Sequence, residues 1–89
     1  MASYVLVRHK VRDFASWKSG YDAHQSVRQE YGLSEERVLN GTDAPNEVVV
    51  LLKAADLGRA KAFAASSEVK EAMQKVGVVD KPDIYFLSS

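Results

Sequence analysis

The apolar positions of the chain fall into segments with two different periods. Tyr4 to Val11 is β-branched and apolar at its start and charged at its end, as in a strand that leaves a core. Two further strands, "EERVLNGT" and "EVVVLLKA", flank the turn sequence "DAPN", and the short turn predicts an antiparallel hairpin. A fourth strand is predicted from Asp83 to Leu87.

A helix is predicted between the first two strands. Asp13 is a suitable N-cap, apolar positions then recur with helical spacing from Phe14 to about Tyr31, and Gly32 is a typical C-terminal stop. We therefore expect one helix over this whole segment.

The second helical region begins at Leu57, after a cap at Asp56. On a helical wheel its apolar residues point in two roughly opposite directions, Ala60 and Phe63 in one and Val69, Met73 and Val76 in the other. One continuous helix cannot bury both sets against one sheet. A break is therefore predicted at Ser66 or Ser67, either of which can cap a new helix that ends before Gly77.

The element order is β-α-β-β-α-β, which predicts an α+β, ferredoxin-like fold with a four-stranded antiparallel sheet. Right-handed crossovers place both helical regions on one face, with the first and third strands in the middle. The second strand is the most polar and suits an edge. The 89 residues are enough for one domain, predicted to span residues 1–89.

The other face of this sheet is also apolar. Val48 to Leu52 has no polar position, and the first and last strands add Tyr4, Leu6, Tyr85 and Leu87 on their second face. Burial of each such side chain is worth about 1.5 to 3 kcal/mol. The sequence therefore predicts an obligate homodimer with the two sheets packed face to face.

Composition excludes several classes of function. The twelve basic and twelve acidic residues form no run of one charge, so neither nucleic acid nor a membrane is predicted as a partner. The absence of cysteine removes disulfides, thiolate metal sites and cysteine nucleophiles. The N-terminal "MASYVLVRHK" does not resemble a signal peptide, and we expect a cytoplasmic protein. No phosphate-binding glycine motif is present, so no nucleotide site is predicted.

Candidate chemistry lies on the first helix. One arc of roughly 140° contains its aromatic residues together with His24 and Arg28, whereas the remaining polar side chains occupy the opposite face. Two interpretations stay open. His24 and Arg28 are buried polar groups satisfied within the protein, or they orient a small ligand in a cavity lined by Trp17, Tyr21 and further apolar side chains.

The remaining candidates are less specific. His9 alternates with Val5 and Val7, so it faces the same cavity or lies at the strand end in solvent. Two histidines without a third ligand do not predict a metal site. Phe63 and Met73 have helical spacing and are either core residues or part of the ligand site.

Four stretches resemble a known family: "DFASWKSGYDAHQSVRQEYG", "DAPNEVVVLL", "AFAASSEVKEAMQKVGV" and "KPDIYFL". Together they are similar to the dimeric α/β-barrel superfamily, and within it to the small antibiotic biosynthesis monooxygenase-like proteins, some of them described as cyclases. The likeness spans nearly the whole chain. It implies a ferredoxin-like protomer, two sheets that face each other in a dimeric barrel, and a pocket between sheet and helices.

The resemblance implies several chemistries. Characterised relatives oxidise polycyclic polyketides without metal or flavin, degrade haem, cyclise polyketides or have no known activity, so the fold does not choose among them. Our first hypothesis is a cofactor-independent enzyme that acts on an aromatic or polyketide-like substrate. His24 or His9 is then the general base, Arg28 stabilises a developing oxyanion, and the substrate lies against Trp17, Tyr21, Arg28, Phe63 and Met73.

Two alternatives involve no catalysis. The second hypothesis is a binding or stress-associated dimer whose cavity stores or senses a hydrophobic small molecule. The third is a cavity that has only a structural role.

Overall fold

The computed structural model describes residues 2–89. In chain order its elements are β1 (Ser3–Lys10), α1 (Phe14–Ala23), α2 (Gln25–Glu30), β2 (Leu33–Asn40), β3 (Glu47–Ala54), α3 (Leu57–Ala65), α4 (Ser67–Lys75) and β4 (Asp83–Ser88). The strands form one antiparallel sheet in the order β2-β3-β1-β4. This is the predicted ferredoxin-like α+β arrangement, with β1 and β3 central and β2 at an edge.

The residues predicted to begin and end the helices do so. Asp13, Asp56 and Ser66 each accept a hydrogen bond from the backbone N–H three residues later, at 2.9, 3.1 and 3.4 Å. Gly32 and Gly77 have φ angles of +73° and +95°, the left-handed conformation that terminates helices. Within residues 2–89, no helix is long and apolar enough to cross a membrane.

The first helical region differs from the prediction. A continuous helix from Phe14 to Tyr31 is wrong, because His24 has φ −99° and ψ 17° and separates α1 from α2. Its backbone N–H bonds to the carbonyl of Tyr21 at 3.1 Å, three residues back, instead of continuing the α-helical ladder. The predicted break between α3 and α4 is confirmed, at Ser66.

The core lies between the helices and one face of the sheet. Paired residues of β1 and β3 form its floor, with Val5 opposite Leu52 and Val7 opposite Val50. All four side chains are at most 5% exposed. Above them pack Trp17 of α1 and Ala60 of α3, together with half-buried aromatic residues. The strand period thus places every second residue of β1 and β3 toward the helices.

The opposite face of the sheet is open in the single chain. Val49 and Leu51 are half-buried there, and Leu39, Tyr85 and Leu87 are 54%, 54% and 43% exposed. The apolar second face predicted from the sequence is therefore present.

Candidate functional site

A cavity of about 280 Å³ lies between the helices and the sheet. Its floor is formed by β1 and β3, one wall by α1 and α2, and the other by α3 and α4. The seven residues predicted to form a site all line it: His9, Trp17, Tyr21, His24, Arg28, Phe63 and Met73. The volume is near the lower end of the range for small-molecule sites.

His24 lies at the break between α1 and α2, and the break fixes its imidazole. Since its backbone N–H bonds to Tyr21, the carbonyl of Gly20 is left for the side chain, and Nδ1 of His24 lies 2.8 Å from that oxygen. A carbonyl oxygen only accepts, so Nδ1 carries the proton. In the neutral imidazole Nε2 then has a free lone pair and can accept a proton.

Arg28 follows one turn later and is held by the same break. One guanidinium nitrogen donates to the carbonyl of Tyr21 at 2.7 Å, and the guanidinium carbon lies 3.6 Å from the centre of the Tyr21 ring. The side chain is only 7% exposed, and burial lowers the pKa of Arg28 from its ordinary value. The group stays charged, because an arginine pKa lies far above neutrality.

Aromatic contacts connect these groups into a continuous stack. His9 meets Trp17 edge to face at 5.4 Å, and Trp17 stacks on Tyr21 at 4.9 Å between ring centres. Tyr21 in turn carries the guanidinium of Arg28. The stack crosses one side of the cavity and makes that side aromatic.

His9 faces the cavity, which decides between the two orientations that the sequence left open. It is 2% exposed, and its Nδ1 is buried without a hydrogen-bond partner in residues 2–89. Burial lowers the pKa of His9 from its ordinary value, so the imidazole is neutral near pH 7. His9 thus places a neutral polar atom, unpaired within residues 2–89, beneath the lining of the cavity.

Tyr21 contributes a second buried polar atom. Its hydroxyl has no hydrogen-bond partner in residues 2–89, and burial raises the pKa of Tyr21 to about 12. Glu35 acts on this hydroxyl from β2 and raises the pKa further. The phenol is therefore neutral at physiological pH and can donate a hydrogen bond but not act as a base.

Sequence reasoning missed the part played by Gly20. Its carbonyl holds the His24 ring, and a Cβ at this position would overlap the side chain of Val76, so α1 and the end of α4 approach each other closely. The position on the inward arc was visible in the sequence. The helix break that exposes the carbonyl was not visible, because residues 22–26 around the break include no glycine or proline.

Glu68 was also missed and is the acidic residue of the lining. It is exposed and lies in the first turn of α4, where a carboxylate is favoured by the helix N-terminus. Among residues 2–89, no group of three or more histidine, cysteine or acidic residues could hold a metal ion.

The chemistry available in the cavity is acid–base chemistry on a small molecule with an apolar ring system. Nε2 of His24 can take a proton, the guanidinium of Arg28 can bind an oxyanion, and the apolar and aromatic walls can contact the ring system.

Comparison with known proteins gives structural matches only. No family model matches the sequence. No curated protein matches it either. A candidate antibiotic biosynthesis monooxygenase from Bordetella bronchiseptica superposes with a TM-score of 0.81 at 12% identity, over 99% of this chain and 96% of that one. SnoaB, a cofactor-independent oxygenase from Streptomyces nogalater, gives a TM-score of 0.76 at 12% identity, over 99% and 92% of the two chains.

A third structure extends the same group. A candidate antibiotic biosynthesis monooxygenase from Caulobacter crescentus matches with a TM-score of 0.73 at 15% identity, over 99% of this chain and 89% of that one. Identities this low establish shared architecture and leave residue roles open. The resemblance predicted from the sequence is thus confirmed at the level of structure: this chain has the fold of the antibiotic biosynthesis monooxygenase-like proteins.

Proposed function

We propose that this protein is a cofactor-independent monooxygenase or cyclase that acts on an aromatic or polyketide-like molecule bound in the cavity. The proposal rests on one observation. A histidine with its proton fixed on Nδ1 and a buried arginine face the same apolar, aromatic-walled space. A base beside an oxyanion partner is what proton abstraction next to a carbonyl requires.

The oxygenase reaction balances without a cofactor. Nε2 of His24 removes a proton from an activated CH₂ group, and Arg28 stabilises the negative charge that moves onto the neighbouring carbonyl oxygen. The resulting enolate donates electrons to O₂ and forms a carbon–oxygen bond. Loss of water converts the peroxide to a ketone, so CH₂ and O₂ become C=O and H₂O.

The same two groups also suit a cyclase. An enolate formed by His24 can attack a second carbonyl of the substrate, and the new alkoxide can bind to Arg28 before it is protonated. Loss of water then completes the ring. Only the oxygenase reaction consumes O₂, so an assay run under air and under nitrogen distinguishes the two reactions.

The test is oxygen uptake with an anthrone, a tricyclic aromatic ketone with an acidic CH₂ group, in the absence of metal and flavin. We expect catalysed uptake with formation of the quinone. His24→Gln should lower kcat by about 100-fold or more, since general base catalysis contributes 10²–10⁴-fold. The exposed neighbour Gln25 supplies the control, and Gln25→Ala should keep full activity.

Two outcomes would contradict this role. If His24→Gln folds and keeps full activity, His24 is not the general base. His9 would then be tested in the same way. Absence of turnover by the wild type, under air and under nitrogen, favours the second candidate function.

That second candidate is a binding or stress-associated dimer that stores or senses a hydrophobic molecule. The observation in its favour is that His24 and Arg28 each already hold a carbonyl at the helix break. Melting temperatures that rise with the logarithm of ligand concentration, without turnover, would support it.

We further propose that the protein works as a homodimer through its open sheet face, and that residues 1–89 form one domain. The exposed apolar side chains of β2 and β4, together with the half-buried Val49 and Leu51 of β3, support the dimer, because a domain this small gains much of its stability from such burial. The cytoplasm remains the predicted location.

A further inference from the structure

Arg28 is a buried cation without a buried counter-ion. It is 7% exposed, yet within residues 2–89 no carboxylate oxygen lies within 4.0 Å of its nitrogens. Arg8 shows the contrast, since it is half-buried on the open sheet face and pairs with three carboxylates. Within residues 2–89, Arg8 is thus neutralised by carboxylates of its own chain, whereas the more deeply buried Arg28 is not.

The nearest acidic residues do not fill this role. Asp22 and Glu35 border a separate polar groove that Arg28 also touches, and their charges act on it from beyond pairing distance. Glu68 lies exposed on the other wall of the cavity, at the start of α4. Burying a charge without a partner costs free energy. An anionic group on a ligand would reduce this cost for Arg28, and the ligand would bind more tightly as a result.

The donors of Arg28 are mostly free. A guanidinium has five N–H groups in a planar fork, and in residues 2–89 the one hydrogen bond of this side chain goes to Tyr21. Its position is nevertheless fixed, because it lies 3.6 Å from the centre of the Tyr21 ring. A fixed planar fork matches the two oxygens of a carboxylate better than one ketone oxygen.

We infer that the ligand of this cavity is an aromatic carboxylate, with its ring system against the cavity wall that Trp17 and Tyr21 line and its carboxylate on Arg28. The inference rests on the proposed function in one respect, namely that the cavity takes up a small aromatic molecule. Beyond the proposed function, the inference says that the ligand carries a negative charge when it binds. A neutral ketone, by comparison, becomes negatively charged only during the reaction.

The test compares two probes of one shape, 2-naphthoate and 2-naphthamide, by titration calorimetry with the wild-type protein near pH 7.5. Hydrogen bonds to a charged group are roughly twice as strong as those between neutral groups. We therefore expect naphthoate to bind at least about tenfold more tightly than the amide.

Variants show whether Arg28 is the source of this preference. Arg28→Gln should bring the two affinities to within about threefold of each other, an energy difference of about 0.7 kcal/mol. Arg59→Gln removes the same charge from an exposed position on α3 and should leave the preference unchanged. Because Arg28→Gln can unfold the protein, the Nε–H signal of Arg28 is also followed in ¹⁵N-labelled wild type, where naphthoate should shift it and naphthamide should not.

The outcomes separate this inference from the proposed function. Equal binding of the two probes, or preference for the amide, overturns the carboxylate and leaves a cavity that binds neutral aromatic molecules. Binding of neither probe by a protein that oxidises the anthrone also overturns the carboxylate alone. Binding of neither probe without any turnover overturns both.

Discussion

At the level of single residues, the cavity combines polar atoms that the fold leaves unpaired with others that it fixes. His9 and Tyr21 each bury a polar atom that has no hydrogen-bond partner in residues 2–89. Such atoms cost stability, and they are tolerated where a ligand uses them. His24 and Arg28, in contrast, are positioned by backbone carbonyls. Two of these four side chains are therefore fixed by hydrogen bonds to the backbone, and the other two are held by packing on Trp17.

The burial of His9 predicts an acid-sensitive fold. Burial lowers the pKa of His9 below 6.5, so on acidification the unfolded chain takes up its proton before the folded protein does. Stability is then unaffected above about pH 6.5 and falls below it, by at most about 1.4 kcal/mol per pH unit until the folded pKa is reached.

Urea unfolding at pH 7.5, 6.5 and 5.5 measures this effect. His9→Met keeps a side chain of similar size without the charge, and its free energy of unfolding should fall less steeply with acid than that of the wild type. The values at pH 7.5, where both proteins are neutral at this position, separate the cost of the substitution from the titration. Parallel curves for the two proteins would contradict a lowered pKa for His9.

The side that His9 faces could not be read from the sequence. Alternation along β1 shows that His9 shares a face with Val5 and Val7, but the strand ends nearby and charged residues flank His9 on both sides. The deciding contact is with Trp17, which belongs to another element. Tertiary packing therefore decided a question that the local pattern left open.

At the level of elements, the helix break between α1 and α2 positions the two polar side chains of the site, His24 and Arg28. The helical pattern from Phe14 to Tyr31 identified the inward face correctly, because α1 and α2 still present their aromatic and polar site residues to the sheet. It could not show the break. The break depends on His24 and Arg28 binding carbonyls that a regular helix would use itself, and side-chain competition of this kind leaves no mark in periodicity.

Gly20 tests how tightly α1 packs against the end of α4. Gly20→Ala should improve helix propensity by about 1 kcal/mol, yet the new methyl group would overlap Val76. Overpacking of this kind costs about 1–3 kcal/mol, which equals or exceeds the gain in helix propensity. We therefore expect that Gly20→Ala does not raise the free energy of unfolding and can lower it.

Ser19→Ala is the matched control, since it adds a better helix former at the neighbouring, exposed position of α1. It should raise the free energy of unfolding by a few tenths of a kcal/mol. Thermal and urea unfolding give the change in stability of both variants. If Gly20→Ala stabilises the protein as much as Ser19→Ala or more, α1 and α4 are not in close contact in solution.

At the level of the whole molecule, the order of the strands in the sheet could be predicted from the sequence. It depends on the order of helices and strands along the chain and on the right-handed crossover between strands. The four strands and their turn placed β1 and β3 in the centre, as observed. What occupies the cavity and what covers the open sheet face could not follow, since neither is part of one chain. The open face still limits the answer, because its exposed apolar side chains lie on both edge strands, β2 and β4, and half-buried apolar side chains of β3 lie between them.

The proposed dimer predicts a specific response to one charge on this face. Leu51 lies in β3 between Leu6 and Arg37, near the middle of the open face. Leu51→Glu puts a carboxylate beside Arg37 of the same chain, so the single protomer tolerates it, whereas a second sheet packed on top would bury an extra charge. Light scattering after gel filtration should give the wild type twice the chain mass of 9.8 kDa and the variant one chain mass.

Leu57→Glu is the control, because it makes the same chemical change at a residue that is 38% exposed at the start of α3. A carboxylate is favoured at a helix N-terminus, so this variant should remain dimeric and keep its melting temperature. Leu51→Glu should melt at a lower temperature than the wild type, since it loses the burial that the second sheet provides. A wild-type protein of one chain mass, or a Leu51→Glu variant of two, would show that the open face is not the dimer interface.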